Sequence, residues 1–190
     1  MRLLDIISEN EQIDEITRPT MVKAEYLLLK AGYKRLGDGY FAKVYGRADA
    51  DHVLKLFKSR DTAYMAFVNM VMKNPNPHFP AFKGKMMKVT NDYYAIRMER
   101  LTPLPDNTPL GPSFLLAAHM LKYILMVSGD EDYQDEVYAD FMEKLEDTQP
   151  GITQACDLIG NKLLPTYLLD LHSANIMQRD NVIVITDPVS

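Results

Sequence analysis

Two stretches of the chain decide its fold: LDLHSANIM at residues 169–177 and VIVITD at residues 182–187. Each contains a short run of strand-forming residues, Ile176-Met177 in the first and Val182–Ile185 in the second. The turn-prone sequence Arg179-Asp180-Asn181 lies between the two runs, so a two-strand hairpin is predicted. The residues on either side of this hairpin are polar, and we expect them to lie in loops beside it.

Three oxygen-bearing side chains flank the predicted hairpin. Asp170 lies five positions before Asn175, and Asp187 lies twelve positions after Asn175. A carboxylate can orient an attacking hydroxyl group and accept its proton, and amide and carboxylate oxygens are suitable ligands for Mg²⁺. We therefore predict Asp170 as a catalytic base and Asn175 and Asp187 as metal ligands. One Asp alone is more often a turn or a helix cap, so it is the set of three that favours chemistry.

A glycine-containing turn is predicted in the stretch LGDGYFAKVY at residues 36–45. Gly37 and Gly39 lie between two predicted strands, where the lack of a Cβ lets the backbone approach phosphate groups. Phe41 and Val44 match the glycine-rich loop of protein kinases, although alanine replaces the third glycine of that pattern. Two glycines in a hairpin are by themselves more often a turn than a phosphate site.

Lys55 lies eighteen residues after Gly37, inside the apolar strand VLKLF at residues 53–57. A buried ammonium group is costly unless it meets an anion, and in a kinase that anion is the pair of α- and β-phosphates of ATP. We therefore predict Lys55 as a catalytic, ATP-binding residue. The alternative interpretation is a lysine on an edge strand that points to water.

The remaining pattern predicts a small β-rich lobe followed by a helical lobe. The predicted helices are residues 3–9, 20–30 and 61–72, and the predicted strands are two between 33 and 45 and one each at 52–57, 82–89 and 93–98. A proline-rich, extended linker is expected at 101–112. Helical patterns dominate after it, up to Leu164, and Pro150-Gly151 should break them in the middle.

Composition and charge exclude several classes of protein. The 190 residues carry a net charge of −5, which disfavours a nucleic-acid binder, because phosphate contacts need a basic surface. The most apolar stretch, residues 114–127, is shorter than the roughly 20 residues that cross a bilayer, so no membrane span is expected. Cys156 is the only cysteine and cannot form an internal disulfide, which favours a reducing cytoplasm.

Residues 130–147 form an acidic segment with a net charge of −8, against +3 for the remainder of the chain. This segment could dock a basic partner. The simpler interpretation is a solvated helix face, because apolar Tyr133, Val137, Phe141 and Leu145 recur there at a spacing of four.

The catalytic segment, the hairpin and the sequence ITDPVS at residues 185–190 together resemble the early serine/threonine protein kinase family of short-tailed coliphages. The glycine loop and the strand around Lys55 are similar to that family as well. The clear match covers residues 31–58 and 166–190, with a looser likeness between them. The resemblance implies a two-lobed, protein-kinase-like α+β fold that binds ATP and Mg²⁺.

The resemblance also implies how the two lobes are used. Residues 1–98 would form an amino-terminal lobe with a five-stranded sheet, and residues 99–190 would form a hinge and an abbreviated helical carboxy-terminal lobe. ATP would lie between the lobes, with Met98 beside adenine and Glu99 and Arg100 offering backbone hydrogen bonds to it. The expected activity is transfer of the ATP γ-phosphate to Ser or Thr of host bacterial proteins in the cytoplasm of the infected bacterium.

Several residues depart from the usual kinase pattern. His172 takes the place of a lysine, and Asp170-Leu171-His172 resembles small-molecule kinases such as the aminoglycoside phosphotransferases in this respect. The pair Pro188-Val189 follows Asp187 in place of Phe-Gly, residues 61–73 contain no Glu, and the chain ends three residues after Asp187. These departures leave open a rival interpretation: a kinase-shaped binding protein that inhibits a host factor by contact, with little or no catalysis.

Overall fold

The computed structural model describes residues 21–104 and 136–190, which divide into two compact units. In this part of the chain the first unit comprises residues 21–62 and 81–100, and the second comprises the rest. The predicted helix at 3–9, the linker from 105 onward and the apolar stretch at 114–127 lie outside the described residues, as does the beginning of the acidic segment.

The first unit is built on a five-stranded antiparallel sheet with the spatial order β1-β2-β3-β5-β4. Its central strand, β3, has five consecutive buried residues, as expected of a strand that is covered on both sides by neighbours and on both faces by other groups. The strands are β1 (Lys34–Asp38), β2 (Ala42–Gly46), β3 (His52–Lys58), β4 (Phe82–Lys88) and β5 (Tyr93–Glu99).

Helix α1 (Met21–Lys30) covers one face of this sheet. Its Ala24 and Leu28 belong to a buried cluster that includes Leu54 and Leu56 of β3. The helix is followed by Gly32, whose φ of +80° is a left-handed conformation that glycine adopts without strain. Because successive residues of a strand point to opposite faces, the residues of β3 between and beside the two leucines face away from α1.

A polar contact also fixes α1 on the sheet. The carboxylate of Glu25 accepts hydrogen bonds from the hydroxyl group of Tyr45 and from Lys43 Nζ, the latter at 3.0 Å. The hydrogen bond from Tyr45 lowers the pKa of Glu25, and burial raises the pKa of Tyr45. The ionised carboxylate therefore ties the helix to strand β2.

Within residues 63–104 and 136–190, the second unit combines three α-helices with a small sheet. Helix α2 lies between β3 and β4 in sequence, yet from Ala63 onward it groups with the second unit. Strands β6, β7 and β8 form a three-stranded sheet in that order. The elements are α2 (Thr62–Lys73), β6 (Thr102–Pro103), α3 (Glu136–Thr148), α4 (Ile152–Lys162), β7 (Ile176–Arg179) and β8 (Val182–Ile185).

The β7–β8 hairpin has the tight turn that the sequence predicts. Asp180 and Asn181 have φ angles of 48° and 68°, and Arg179 pairs with Val182 across the turn. Two consecutive residues with positive φ are typical of hairpin turns that match the twist of their strands. The turn therefore sets the register of the strand that leads to Asp187.

The structure confirms the α+β class, the five strands of the first unit and the hairpin of the second. Within the predicted extended linker, Thr102-Pro103 pairs with β7. The alternative interpretation of Lys55 as a lysine on an edge strand is wrong, because β3 is the central strand. Residues 63–80 group with the second unit, whereas the sequence analysis placed them in an amino-terminal lobe. Within residues 21–104 and 136–190, no helix is long and apolar enough to cross a membrane.

Candidate functional site

The pairing of the strands places the predicted nucleotide-binding residues on one face of the first sheet. Gly37 is opposite Val44, Val44 is opposite Lys55, and Lys55 is opposite Ile96. Paired residues of an antiparallel sheet point to the same face, so these four form one row across four strands. This is the face opposite the one that α1 covers.

Met98 belongs to the neighbouring row on the same face. It is buried and lies opposite Val53 of β3 on one side and Phe82 of β4 on the other. Val53 and Lys55 are two residues apart in one strand, so their side chains project in the same direction. The structure thus brings Met98 and Lys55 to one surface, and the predicted contact of Met98 with adenine stays a prediction.

Lys55 is almost completely enclosed, with a residue exposure of 8%. Its strand neighbours in the row, Val44 and Ile96, are apolar. Lys55 is thus buried on the face that the sequence analysis assigns to phosphate, and its role there stays a prediction.

The glycine turn is closed by backbone hydrogen bonds. The N–H group of Gly39 donates to the carbonyl of Ala42 at 2.8 Å, and the carbonyl of Phe41 accepts from the N–H group of Lys58 at 2.9 Å. Neither Gly37 nor Gly39 has a positive φ, and a Cβ at either would meet its neighbours only at 3.5–3.8 Å, which is ordinary contact. The chain itself does not require glycine here, which leaves close approach of a ligand as a use for both positions.

The two predicted hinge residues, Glu99 and Arg100, already use their N–H groups. Glu99 donates to the carbonyl of Ala81 at 2.9 Å, and Arg100 donates to the carbonyl of Asp51 at 3.0 Å. Neither N–H group is therefore left to donate to adenine. Only the carbonyl groups of these two residues remain for the predicted backbone hydrogen bonds. A hinge donor would have to come from another residue.

In the second unit, backbone hydrogen bonds gather the three oxygen-bearing residues. The N–H group of Thr186 donates to the carbonyl of Asn175 at 2.9 Å, and the N–H group of Asp170 donates to the carbonyl of Pro188 at 2.8 Å. Asp187 lies between Thr186 and Pro188 in sequence. Its two neighbours are therefore bonded to the other two residues of the set, and all three belong to one small region of the fold.

The side chain of Asn175 is held by its amide nitrogen. Nδ2 donates to the carbonyl of Asp170 at 2.7 Å and lies 3.1 Å from Nε2 of His172. These two contacts use the two hydrogens of the amide, which leaves Oδ1 for another partner such as a metal ion. Asn175 is thus oriented before any ligand arrives.

His172 stands beside all of these groups. Its Nδ1 lies 3.3 Å from the N–H group of Ala174, and its Nε2 lies 4.0 Å from the carboxylate of Asp170. A neutral imidazole ring accepts a hydrogen bond at only one nitrogen, and the shorter contact, to Asn175, is the one that orients a predicted metal ligand. The sequence identified His172 only as a departure from the kinase pattern.

His78 anchors the strand that leads to Asp187, and sequence reasoning missed this role. The side chain is 1% exposed; Nδ1 lies 2.8 Å from the carbonyl of Ile183, and Nε2 lies 3.0 Å from that of Pro150. The backbone carbonyl of His78 also accepts from the N–H group of Ile185 at 2.9 Å. The only signal in the sequence was a histidine after a turn-rich run, and the partners lie far away along the chain.

Glu146 supports the turn to which His78 is bonded. Its carboxylate accepts hydrogen bonds from the N–H groups of Gly151 and Thr153, at the start of α4. These bonds lower the pKa of Glu146, and the bond from Gly151 has the largest effect. An anion at a helix amino terminus also interacts favourably with the helix dipole.

The family model described as bacteriophage T7 protein kinase 0.7 matches residues 16–190 of the chain. Among solved structures, the crystal structure of Rad53 1–466 in complex with AMP-PNP is similar at 17% sequence identity and a TM-score of 0.45. That match covers 88% of this chain and 42% of the Rad53 chain, so this chain spans less than half of its length. No curated protein matches significantly.

Proposed function

Because the chain belongs to the bacteriophage T7 protein kinase 0.7 family, we propose that it is a protein kinase that depends on ATP and Mg²⁺. It transfers the γ-phosphate to Ser or Thr of host bacterial proteins in the cytoplasm of the infected bacterium. One observation carries this proposal: the two residues beside Asp187 are bonded to Asp170 and Asn175. A base and two oxygen ligands assembled in this way are what phosphoryl transfer needs.

The residues fit a nucleotide with its metal ion. The described ranges, 21–104 and 136–190, contain no group of three His, Cys, Asp or Glu side chains that could hold a metal by themselves. Mg²⁺ is usually held by one or two protein oxygens together with the phosphates of its nucleotide, so Asn175 and Asp187 are sufficient. When bound, Mg·ATP supplies the phosphoryl group and the positive charge that assists departure of ADP.

On the first unit, Lys55 and the glycine turn are the residues that we propose to bind the phosphates. Lys55 binds the phosphates and neutralises part of their charge, and Gly37 and Gly39 leave room for them. Phe41, Val44 and Met98 supply apolar surface around the nucleotide, with Val44 and Met98 already on the same face of the sheet as Lys55.

Asp170 carries out the proton transfer. Its side chain is 49% exposed, so a substrate hydroxyl group can reach it. Asp170 orients this hydroxyl group and accepts its proton while the oxygen forms a bond to the γ-phosphorus. The bond between that phosphorus and the bridging oxygen breaks at the same time, and ADP leaves with the electron pair. Asn175 remains fixed throughout by the carbonyl of Asp170 and by His172.

A transfer assay tests the proposal. The purified chain is incubated with γ-labelled ATP, Mg²⁺ and a bacterial lysate, and the labelled residues are identified by phosphoamino-acid analysis. We expect phosphoserine and phosphothreonine, no transfer from α-labelled ATP, and no transfer by Asp187→Ala. Folded wild-type protein that transfers no label would overturn the proposal and would favour the rival, an inhibitor that acts by contact.

A further inference from the structure

Two basic residues at the end of β3 form no ion pair within the described residues. Lys58 is the last residue of the strand, and Arg60 follows it after Ser59. Their recorded side-chain contacts are with aromatic rings of the glycine turn. Other exposed cations of the sheet do pair with acids: Arg35 lies 3.0 Å from Asp38, and Lys83 lies 2.7 Å from Asp51.

The aromatic rings concerned are Tyr40 and Phe41, at the turn between β1 and β2. They are 76% and 41% exposed, and their ring centroids lie 4.8 Å apart in an edge-to-face arrangement. Lys58 Nζ lies 4.2 Å from the centre of the Tyr40 ring and 5.3 Å from that of Phe41, and the guanidinium carbon of Arg60 lies 5.9 Å from that of Phe41. We call these four residues the tip cluster.

A cation–π contact of this kind stabilises the turn, and it leaves the cation able to bind an anion as well. The ring occupies only one side of the charged group, so its other N–H groups can bind an anion. The two cations of the cluster therefore offer charge-assisted hydrogen bonds next to the apolar surface of two aromatic rings. A carboxylate side chain of a peptide can accept these hydrogen bonds while the rest of the peptide packs against the apolar surface.

The side chain of Lys58 points away from that of Lys55, the lysine proposed to bind ATP. Lys55 and Lys58 are three residues apart in one strand, so their side chains leave the sheet on opposite faces. The nucleotide row runs through Lys55 and Val44, away from Lys58. Lys58 is thus placed to contact something other than the nucleotide, next to the glycine turn.

The charge of the first unit favours an acidic partner. The residues of the first unit, 1–62 and 81–100, include sixteen Lys and Arg against twelve Asp and Glu, a net charge of +4. The whole chain has a net charge of −5, so all other residues together carry −9. The positive charge is therefore concentrated on the unit that bears the glycine turn, where it would attract acidic segments and repel basic ones.

We propose that the tip cluster binds acidic residues of the protein substrate, so that the enzyme prefers Ser or Thr in acidic segments. Lys58 and Arg60 form ion pairs with Asp or Glu of the substrate, and Tyr40 packs against the aliphatic part of the same peptide. This inference rests on the proposed kinase function and assigns a substrate class to the same site.

The test uses two peptides that contain the same single Ser. The acidic peptide has four flanking Asp and Glu residues, and the neutral peptide has Asn and Gln in their place. The double variant Lys58→Gln/Arg60→Gln is compared with Lys85→Gln/Lys88→Gln. The control pair is exposed on the edge strand β4 and removes the same charge from the same sheet. Steady-state kinetics give KM and kcat, and fluorescence anisotropy gives binding of a labelled acidic peptide with Ala in place of Ser, without ATP.

We expect the wild type to prefer the acidic peptide. The tip variant should raise KM for the acidic peptide about three- to thirtyfold, as expected for two exposed ion pairs, while kcat and the KM for the neutral peptide stay unchanged. Anisotropy should show the same loss for the labelled acidic peptide. The control variant should change KM less than twofold.

Three results would overturn the inference: equal KM for both peptides in the wild type, equal losses in the tip and control variants, or a weaker affinity of the tip variant for Mg·ATP. The last result would assign the two cations to the nucleotide. If the wild type transfers no phosphate at all, the kinase proposal fails, and the anisotropy measurement still decides whether the tip cluster binds acidic peptides.

Discussion

Replacing Lys55 by methionine removes the ammonium group and keeps most of the side-chain volume. Lys55 is 8% exposed and lies at the centre of the sheet, between Val44 of β2 and Ile96 of β5. A swap that conserves volume at an apolar position usually costs less than about 1.5 kcal/mol of unfolding free energy. We therefore expect the variant to fold, so that its nucleotide binding can be measured separately.

The expected loss of binding follows from one charged contact. A hydrogen bond to a charged group is worth about 1.5–3 kcal/mol, so losing the Lys55–phosphate contact should weaken Mg·ATP binding about 10- to 150-fold. At about 100 times the wild-type Kd, the nucleotide stabilises the wild type by about 2.7 kcal/mol and the variant by about 0.3–1.4 kcal/mol. With about 2–4 °C per kcal/mol for a chain of this size, Mg·ATP should raise the Tm of the wild type by about 5–11 °C.

Differential scanning fluorimetry with and without Mg·ATP measures both shifts. The variant should show roughly half of the wild-type shift or less. Lys85→Met is the matched control, because Lys85 is exposed on the edge strand β4, and it should keep the full shift. Equal shifts in Lys55→Met and the wild type would refute the assignment of Lys55 to phosphate.

Three further predictions concern the second unit. His172→Phe removes the acceptor beside Asn175, so the Mg²⁺ concentration that gives half-maximal transfer should rise about five- to tenfold, and His172→Gln, which keeps an acceptor, should restore most of it. An unchanged Mg²⁺ requirement would show that Asn175 does not depend on His172. His78→Phe removes the ring N–H donor beside the carbonyl groups of Ile183 and Pro150 and should cost about 1–3 kcal/mol of unfolding free energy in urea denaturation; a loss below about 0.5 kcal/mol would contradict the anchoring role. The N–H groups that bind Glu146 lower its pKa from the ordinary value of 4.5, so the ionised carboxylate stabilises the fold above that pH and the stabilisation disappears as the pH falls through the lower value. Glu146→Gln should therefore be less stable than the wild type at pH 7, and the difference should close as the pH falls through the lowered pKa of Glu146; a difference in unfolding free energy that stays constant with pH would contradict this.

Local patterns in the sequence were sufficient to predict much of the fold and of the site. The turn of the β7–β8 hairpin depends on two adjacent residues, Asp180 and Asn181, so its chemistry is visible in the sequence. Asp170, Asn175 and Asp187 lie within eighteen positions of one another and flank this hairpin, which is why their spacing indicated one site. The structure places them together, and their roles in catalysis and metal binding stay predictions.

Contacts between distant segments could not be read from the sequence. His78 is bonded to Ile183, 105 positions away, and no pattern near either residue indicates the other. The N–H groups of Glu99 and Arg100 are used by Ala81 and Asp51, which come close only because of the order of the strands. Such partners depend on the order of the strands in the folded sheet. The sequence therefore could not show that these two N–H groups are already used and cannot donate to adenine.

In the proposed reaction, Asp170 accepts the proton of the attacking hydroxyl group and does not bind ATP. Asp170→Asn keeps the size of the side chain and the backbone groups that are bonded to Pro188 and Asn175. The most direct test is the turnover number of this variant at saturating Mg·ATP, with the Kd for Mg·ATP measured on the same preparation. We expect an unchanged Kd and a turnover number lower by a factor of about 10² or more, the scale of general-base contributions. Equal turnover by the variant and the wild type would contradict the claim.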